Sequence, residues 1–272
     1  MSQAPSILTE LAQRAQHRVA VRLATTPLAT LRANAEALVE PMNARGASRE
    51  AFESALRRPG LRLIGEVKRA SPSKGMIAPV FPYQEIAQSY ERAGIDAISV
   101  LTEPTAFLGD DQYLASIAQT VQTPLLRKDF TVHEAMIYEA KLLGASAVLL
   151  IVSLLSPSVL KGLLDLAHEL DLAALVETHN PDEIAVALDV GATVIGVNNR
   201  NLHTFEVNTE HAQALRALVP PEAIYVAESG IQTLEDVRAV ARAGADAALI
   251  GEMLMRSEDR EGLIRLIREV GQ

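Results

Sequence analysis

Four segments of the sequence repeat one pattern, in which a glycine next to a small residue precedes a run of apolar and β-branched residues. They begin at Ala93, Leu143, Val190 and Ala243 and read AGIDAISV, LGASAVLL, VGATVIGV and AGADAALI. The pattern is typical of a helix that ends on a C-cap glycine and leads directly into a buried parallel strand. Successive repeats lie about two strand–helix units apart, since one βαβ unit takes roughly 30 residues or more. The repeat therefore predicts a parallel sheet.

Four further strands are predicted between the repeats. They read LIGEVK (63–68), PLLRKD (124–129), AALVET (173–178) and IYVAES (224–229). Helical patterns, with apolar residues three or four positions apart, fill the gaps at 83–93, 133–143, 157–170 and 234–243. About eight alternating strand–helix units predict an α/β fold, a closed (β/α)8 TIM barrel. An open doubly wound sheet is the alternative, but it would normally carry a GxGxxG turn after its first strand, and none is present.

The residues before the first strand also read as helices. Segments 7–23 and 28–39 are amphipathic, and Pro27 and Pro41 punctuate them. We predict that residues 1–60 form an N-terminal helical extension, packed on a catalytic barrel of residues 61–272 within a single domain.

Composition limits the classes of partner. The net charge of −9 argues against a nucleic-acid partner, which usually meets a basic face. It does not exclude an anionic small molecule, because binding depends on the local field of a pocket. The absence of cysteine excludes disulfides, thiolate nucleophiles and cysteine-ligated metal sites. The N-terminal segment lacks the apolar core of a signal peptide, and the longest apolar run, residues 147–152, is too short to span a bilayer. We therefore expect a cytoplasmic protein with no membrane contact.

The two sets of strands end differently. The repeat strands stay apolar nearly to their ends, with Asn198 as the main exception, whereas each intervening strand ends in charge. The charged residues are Glu66, Lys68, Lys128, Glu177 and Glu228. Alternate barrel strands contribute side chains to one interior layer, so we expect these charges to converge at the C-terminal mouth, where barrel enzymes place their chemistry.

Alternation along a strand decides which of these side chains face inward. Glu66 and Lys68 lie two residues apart and therefore point to the same side. In the run Arg127-Lys128-Asp129, we expect Lys128 to face inside and its two neighbours outside. Structural ion pairs and solvated strand ends are the competing interpretation, although a buried ion pair is often no more stabilising than apolar packing.

The last two strands run directly into small residues or glycine, in AESG (227–230) and LIGE (249–252). In many barrels the loops after strands seven and eight present backbone N–H groups to a phosphate. A simple turn explains either glycine alone, whereas the two together predict a phosphate site at Ser229, Gly230, Gly251 and Glu252. The Ser-Lys at 73–74 follows the first strand and is expected to add charge or to close over the ligand.

The sequence lacks the motifs of several other chemistries. It has no HExxH, calcium loop, P-loop or serine nucleophile elbow, and His179 and His203 read as loop residues. What remains is lysine and glutamate acid–base chemistry on a phosphorylated small molecule, with no metal and no redox cofactor.

Seven motifs extend these observations along the whole barrel. In order, they are EVKRASPSKG (66–75), SVLTEPTAFLGD (99–110), LLRKDF (125–130), LVETHN (175–180), IGVNNRNL (195–202), AESGI (227–231) and LIGEMLM (249–255). Together they resemble the successive signatures of the indole-3-glycerol phosphate synthase family. The resemblance implies ring closure, decarboxylation and dehydration of 1-(2-carboxyphenylamino)-1-deoxyribulose 5-phosphate in tryptophan biosynthesis, without a cofactor. It leaves open the oligomeric state and any association with other enzymes of that pathway.

The resemblance also implies roles for the charged residues. Lys128 would be the general acid for ring closure. Lys68 would pair with the substrate carboxylate and deliver a proton in the dehydration. Glu177 would act as general base or stabilise positive charge on the anilino nitrogen.

Further positions match supporting and substrate-side residues of the family. Phe107 and Phe130 would pack against the anthranilate ring. Glu66 would tune the lysines and position the substrate, and Asn198 and Glu228 would support it by hydrogen bonds. The matches at ligand-side or mouth-stabilising positions are Ser71 and Arg200.

Three other interpretations use the same features. A class I aldolase also combines a barrel, a phosphosugar and a strand-end lysine, which forms a Schiff base. A phosphoribosylanthranilate isomerase would share the phosphate site but would not need the paired lysines. A non-catalytic metabolite-binding protein would bind its ligand without turnover, and it explains the converging charges poorly.

Overall fold

Among the residues that the structure describes, three helices precede the barrel and pack around it. A computed structural model describes residues 7–38, 46–199 and 214–272. The helices are α1 (Ile7–Thr25), α2 (Leu28–Glu36) and α3 (Arg49–Leu56). Residue 39, where the second helix was predicted to end, and Pro41 lie outside the described residues.

Parallel strands close into a barrel, as the repeat predicts. The strands are β1 (Arg62–Val67), β2 (Ala97–Leu101), β3 (Leu125–Lys128), β4 (Ala147–Ile151), β5 (Ala173–Thr178), β6 (Val194–Asn198), β7 (Ile224–Glu228) and β8 (Ala247–Ile250). Each pairs in parallel with its neighbour, and β1 closes the ring by pairing with β8, Arg62 opposite Ala247. The (β/α)8 prediction is therefore confirmed, and the open doubly wound alternative is wrong.

Helices follow the strands along the outside of the barrel. They are α4 (Tyr83–Arg92), α5 (Asp111–Ala118), α6 (Glu134–Leu142), α7 (Pro157–Glu169), α8 (Pro181–Asp189), α9 (Leu234–Arg242), α10 (Glu252–Arg256) and α11 (Arg260–Val270). The glycines of the four repeats follow α4, α6, α8 and α9, and all have positive φ, between 78° and 89°. A left-handed residue at this position ends a helix, which is why the repeat predicts the helix boundaries well. None of the described helices combines the length and apolar character needed to cross a bilayer.

The predicted strand ends need small corrections. The first strand was expected at 63–68 but ends at Val67, and the chain then forms a short hairpin that pairs Ala70 with Met76. The third was expected at 124–129 but covers only 125–128. The strand at 224–229 ends at Glu228, because Ser229 has a φ of 64° and cannot continue an extended strand.

The N-terminal helices contact opposite ends of the barrel. The backbone N–H of Arg49 in α3 donates to the carbonyl of Asp171, just before β5, and Thr193, just before β6, donates to the Glu53 carboxylate. Phe52 and Leu56 of α3 are fully buried in the interior cluster, together with barrel side chains. Helix α3 thus closes the N-terminal end, whereas α1 lies at the C-terminal mouth, as described below. The division at residue 60 into extension and barrel stays a prediction.

Candidate active site

Four charged side chains from alternate strands meet at the C-terminal mouth. They come from β1, β3, β5 and β7 and are Glu66, Lys128, Glu177 and Glu228. The Lys128 ammonium lies 3.0 Å from Glu177 Oε2 and 3.1 Å from Glu228 Oε2. Arg127 instead pairs with Asp111 on the outer side, so the predicted inward direction of Lys128 is confirmed. A single lysine is thus held between two buried carboxylates.

Glu177 is a strongly stabilised carboxylate. Its Oε1 accepts a hydrogen bond of 3.1 Å from Asn198 Nδ2 and lies 3.4 Å from His179 Nε2, while its Oε2 faces Lys128. Burial alone would raise the pKa of Glu177, but the charge of Lys128 and the bonds from His179 and Asn198 hold that pKa well below its usual range. Glu177 therefore remains ionised at neutral pH.

Glu228 behaves in the opposite way, although it contacts the same lysine. Burial raises its pKa to about 7, and the like charge of Glu177 adds to the rise, against the attraction of Lys128. Its Oε1 is buried and accepts no hydrogen bond from the described residues. Glu228 is thus the carboxyl of this layer that changes protonation near neutral pH.

Lys128 stays protonated in this arrangement. Burial would lower the pKa of its ammonium, but Glu177 and Glu228 outweigh that effect and raise the pKa above its ordinary value. The side chain is only 13% exposed. Its acid strength therefore depends on the charge of the two carboxylates that surround it.

The Glu66–Lys68 pair forms, as their spacing predicts. Lys68 follows the end of β1, and its ammonium contacts the Glu66 carboxylate. Gly251 lies directly against this pair, since a Cβ there would sit 2.9 Å from Lys68 Nζ and would overlap the carboxylate. The missing side chain at Gly251 makes room for the ion pair as well as for any ligand.

A cavity of about 170 Å³ opens above these charges. One side is apolar, with Phe107 and Phe130 tilted at 44° and their ring centroids 6.2 Å apart. Helix α1 adds apolar side chains to this side, and they are Ile7, Leu8 and Leu11. Ser71, from the hairpin after β1, also lines the cavity. The arrangement suits a ligand with a flat apolar part.

The opposite side of the cavity consists of the turns after β7 and β8. It is lined by the predicted phosphate-site residues Ser229, Gly230, Gly251 and Glu252. Ser229 and Gly230 both have positive φ, 64° and 83°, so the chain turns sharply as it leaves β7. The Glu252 carboxylate lies 3.0 Å from Arg256 Nε and 3.8 Å from Lys74 Nζ. The loop after β1 thus reaches the same turn.

One predicted site residue lies outside the described residues, and one histidine makes contacts that were not predicted. Arg200, like His203, lies outside the described residues. His179 lies in the loop after β5, as expected, but its contacts were not predicted: its Nε2 lies 3.4 Å from Glu177 Oε1, and its Nδ1 lies 3.1 Å from Glu183 Oε2. Burial would lower its pKa, but hydrogen bonds to these two carboxylates raise it to about 10. His179 stands two residues after Glu177, and the same alternation that linked Glu66 with Lys68 would have indicated it.

The described residues include no group of three or more histidine, aspartate or glutamate side chains arranged to hold a metal ion. The chemistry that the described site offers from its own side chains is proton transfer and charge stabilisation. The basic side chains are Lys68, Lys128 and His179, and the carboxyl groups are Glu66, Glu177 and Glu228.

Comparison with known proteins agrees with this geometry. The family model described as indole-3-glycerol phosphate synthase matches residues 8–267. The indole-3-glycerol phosphate synthase of Lachnoclostridium phytofermentans is 53% identical over 219 residues, which cover 80% of this chain and 81% of the relative. The indole-3-glycerol phosphate synthase of Lactiplantibacillus plantarum is 55% identical over 217 residues, which cover 80% of this chain and 84% of the relative.

Solved structures of more distant proteins share the fold. The 3-hexulose-6-phosphate synthase of Salmonella typhimurium matches with a TM-score of 0.59 at 14% identity, over 77% of this chain and 98% of that one. The thiamine phosphate pyrophosphorylase of Pyrococcus furiosus matches with a TM-score of 0.58 at 17% identity, over 77% of this chain and 95% of that one. At such low identity these likenesses concern the barrel alone. The family match and the identities near one half establish that this chain belongs to the indole-3-glycerol phosphate synthase family.

Proposed function

We propose that the chain converts 1-(2-carboxyphenylamino)-1-deoxyribulose 5-phosphate to indole-3-glycerol phosphate, carbon dioxide and water, in tryptophan biosynthesis. The observation that carries the proposal is Lys128, held between Glu177 and Glu228 at the base of a cavity with one apolar side and one side of backbone turns. The family of the chain supports the same reaction.

The two sides of the cavity orient the substrate. The anthranilate ring packs against the side of the cavity that Phe107 and Phe130 form, and the phosphate lies at the turns after β7 and β8. The phosphate site comprises Ser229, Gly230, Gly251 and the backbone N–H of Glu252, whose side chain is occupied elsewhere. The substrate carboxylate pairs with Lys68, and Ser71 lies on the ligand side.

Ring closure requires an acid at the ketone of the ribulose chain. The aromatic carbon that bears the carboxylate attacks the ketone carbon while Lys128 donates a proton to the ketone oxygen, which becomes a hydroxyl. Protonation of Glu228 removes one of the two charges that stabilise the ammonium. The pKa of Lys128 then falls toward a value at which it can act as an acid.

Loss of carbon dioxide and water completes the reaction. Ring closure leaves positive charge on the anilino nitrogen, and the electrons of the departing carboxylate neutralise it. Glu177 stabilises that charge, held in place by Asn198, and later accepts the proton released from the ring as it becomes aromatic. Lys68, held by Glu66, donates the proton with which the hydroxyl leaves as water.

The aldolase alternative fits this geometry less well. A Schiff base forms from a neutral amine, whereas Glu177 and Glu228 keep Lys128 protonated. Borohydride added with the substrate should therefore leave Lys128 unlabelled. Covalent labelling would favour the aldolase.

Turnover is the direct test of the proposal. The purified protein is mixed with the anthranilate-derived ribulose phosphate, and indole fluorescence and carbon dioxide release are followed together. We expect both signals in equal amounts. A folded protein that gives neither signal is no synthase, and one that binds the substrate without either signal is a binding protein.

A further inference from the structure

Helix α1 inserts an arginine between two buried carboxylates beside the mouth of the barrel. Arg18 Nη2 lies 2.6 Å from Asp129 Oδ1, and its Nη1 lies 3.4 Å from Glu103 Oε1. The two carboxylates follow β3 and β2, and their side chains are 2% and 0% exposed. One guanidinium from the N-terminal helix thus links the loops after two neighbouring strands.

Each of these carboxylates also holds the backbone of a cavity phenylalanine. Glu103 Oε2 accepts a 3.0 Å hydrogen bond from the backbone N–H of Phe107. Asp129 Oδ1 accepts one of 2.8 Å from the backbone N–H of Phe130. Each carboxylate that Arg18 contacts therefore also binds the backbone of one of the two aromatic residues, through the same oxygen in Asp129 and through the other oxygen in Glu103.

The Glu103 side chain fixes a whole turn in this way. Besides Phe107, it accepts hydrogen bonds from the backbone N–H groups of Thr105 and Ala106, at 2.9 and 2.7 Å. Burial would raise its pKa, but a hydrogen bond from the Thr105 hydroxyl, together with these backbone bonds, outweighs burial and lowers the pKa, so the carboxylate remains charged. Without Arg18, Glu103 would have no cationic partner among the described residues, and Asp129 would keep the more distant Arg127 Nη2, at 3.9 Å, so repulsion between the two buried carboxylates would be less well compensated.

We propose that Arg18 is a positioning residue that sets the relative position of Phe107 and Phe130. These two residues form the apolar side of the cavity, called here the aromatic slot. Arg18 acts through Glu103 and Asp129, and it makes the N-terminal helix part of the aromatic slot. This inference rests on the proposed function, in which the slot takes the anthranilate ring. If Arg18 acts in this way, helix α1 contributes to substrate recognition by positioning the two phenylalanines, in addition to the apolar contacts of Leu8 and Leu11.

The same helix offers a matched control. Arg22, one turn further along, pairs with Glu139 of α6 at 2.7 Å. It also ties α1 to the barrel, but its carboxylate partner holds neither phenylalanine. Arg22→Met therefore measures the loss of a tether between α1 and the barrel without a change in the aromatic slot.

The test compares Arg18→Met, Arg18→Lys and Arg22→Met in steady-state kinetics. We expect Arg18→Met to lower kcat/KM about tenfold, mainly through KM, since misplaced binding groups cost this much or more. Competitive inhibition by inorganic phosphate should change less than about twofold, because the phosphate turns lie on the other side of the cavity. Arg18→Lys should recover part of the loss, because an ammonium retains the charge without the two-pronged geometry. Arg22→Met should leave kcat/KM unchanged.

A double-mutant cycle with Phe107→Leu separates positioning from general stability. If Arg18 acts through the aromatic slot, Arg18→Met lowers kcat/KM by a smaller factor in the Phe107→Leu background than in the wild-type background. Three results would each overturn the inference. They are an equal fall in kcat/KM in both backgrounds, an unchanged kcat/KM in folded Arg18→Met, and a loss of phosphate affinity as large as the loss in kcat/KM.

Anthranilate, which is fluorescent, probes the slot without turnover. We expect Arg18→Met to weaken its binding about tenfold and Arg22→Met to leave that binding unchanged. Wild-type protein that binds anthranilate but shows no turnover would refute the proposed function and leave this inference standing. Wild-type protein that does not bind it, or an Arg18→Met variant that binds it equally well, would refute the inference.

Discussion

Replacement of Glu228 by glutamine should stabilise the protein at alkaline pH while damaging its active site. Burial and the neighbouring Glu177 raise the pKa of Glu228 from 4.5 to about 7. A carboxyl whose pKa is higher in the folded than in the unfolded chain holds its proton longer when folded. Stability is therefore lost as pH rises from about 4.5 to about 7, and the loss is complete above that range.

The size of this effect follows from the pKa. One pKa unit corresponds to about 1.4 kcal/mol, so ionised Glu228 costs about 3 kcal/mol of folding free energy above pH 7. Glutamine has the same shape and carries no charge. We expect Glu228→Gln to gain up to about 3 kcal/mol over wild type at pH 8.5, and much less at pH 5.

Urea denaturation at the two pH values measures the difference. Glu222→Gln, which removes a carboxylate from an exposed position, is the control and should change stability little at either pH. The reasoning is refuted if Glu228→Gln is less stable than wild type at pH 8.5. In that case the attraction of Lys128 would outweigh burial, and Glu228 would be an ordinary ionised partner of that lysine.

Four further substitutions test the site. Lys128→Met and Glu177→Gln should each lower kcat on the order of 10³-fold, while inhibition by inorganic phosphate persists; near-normal kcat in either variant would contradict its role. His179→Gln should move the acid limb of the pH profile of kcat/KM to higher pH, because Glu177 is protonated more easily without its cationic neighbour. An unmoved limb would show that His179 does not lower the pKa of Glu177. Gly251→Ala should lower kcat/KM about tenfold by displacing the Glu66–Lys68 ion pair beside it, whereas Gly162→Ala, whose new Cβ meets open space, should leave kcat/KM unchanged. Equal activity of the two variants would contradict the close contact between Gly251 and the ion pair.

The barrel and its charged layer were predictable because each depends on local periodicity. Glycines at helix ends mark the repeat, and alternation along a strand fixes which charges face inward. Glu66, Lys128, Glu177 and Glu228 could be assigned to one layer because barrel geometry places alternate strands there. The turns after the last two strands line the cavity, as their position in the sequence predicts, and the phosphate site assigned to them stays a prediction.

The features that escaped prediction depend on contacts between distant parts of the chain. Arg14, Arg18 and Arg22 stand four residues apart on α1, and the sequence does not distinguish among them. Only the docked position of the helix brings Arg18 to carboxylates 85 and 111 residues away. The pKa of Glu228 could not be foreseen either, because it depends on burial and on which neighbours share Lys128.

Barrel closure between β1 and β8 has a consequence for how the chain folds during synthesis. The edge of β1 finds its partner only when Ala247 and the residues after it have left the ribosome. Until then two unpaired strand edges are open to other chains, and parallel pairing over such a long loop is intrinsically slow. Chains that stop before β8 should therefore aggregate rather than accumulate as soluble partial barrels.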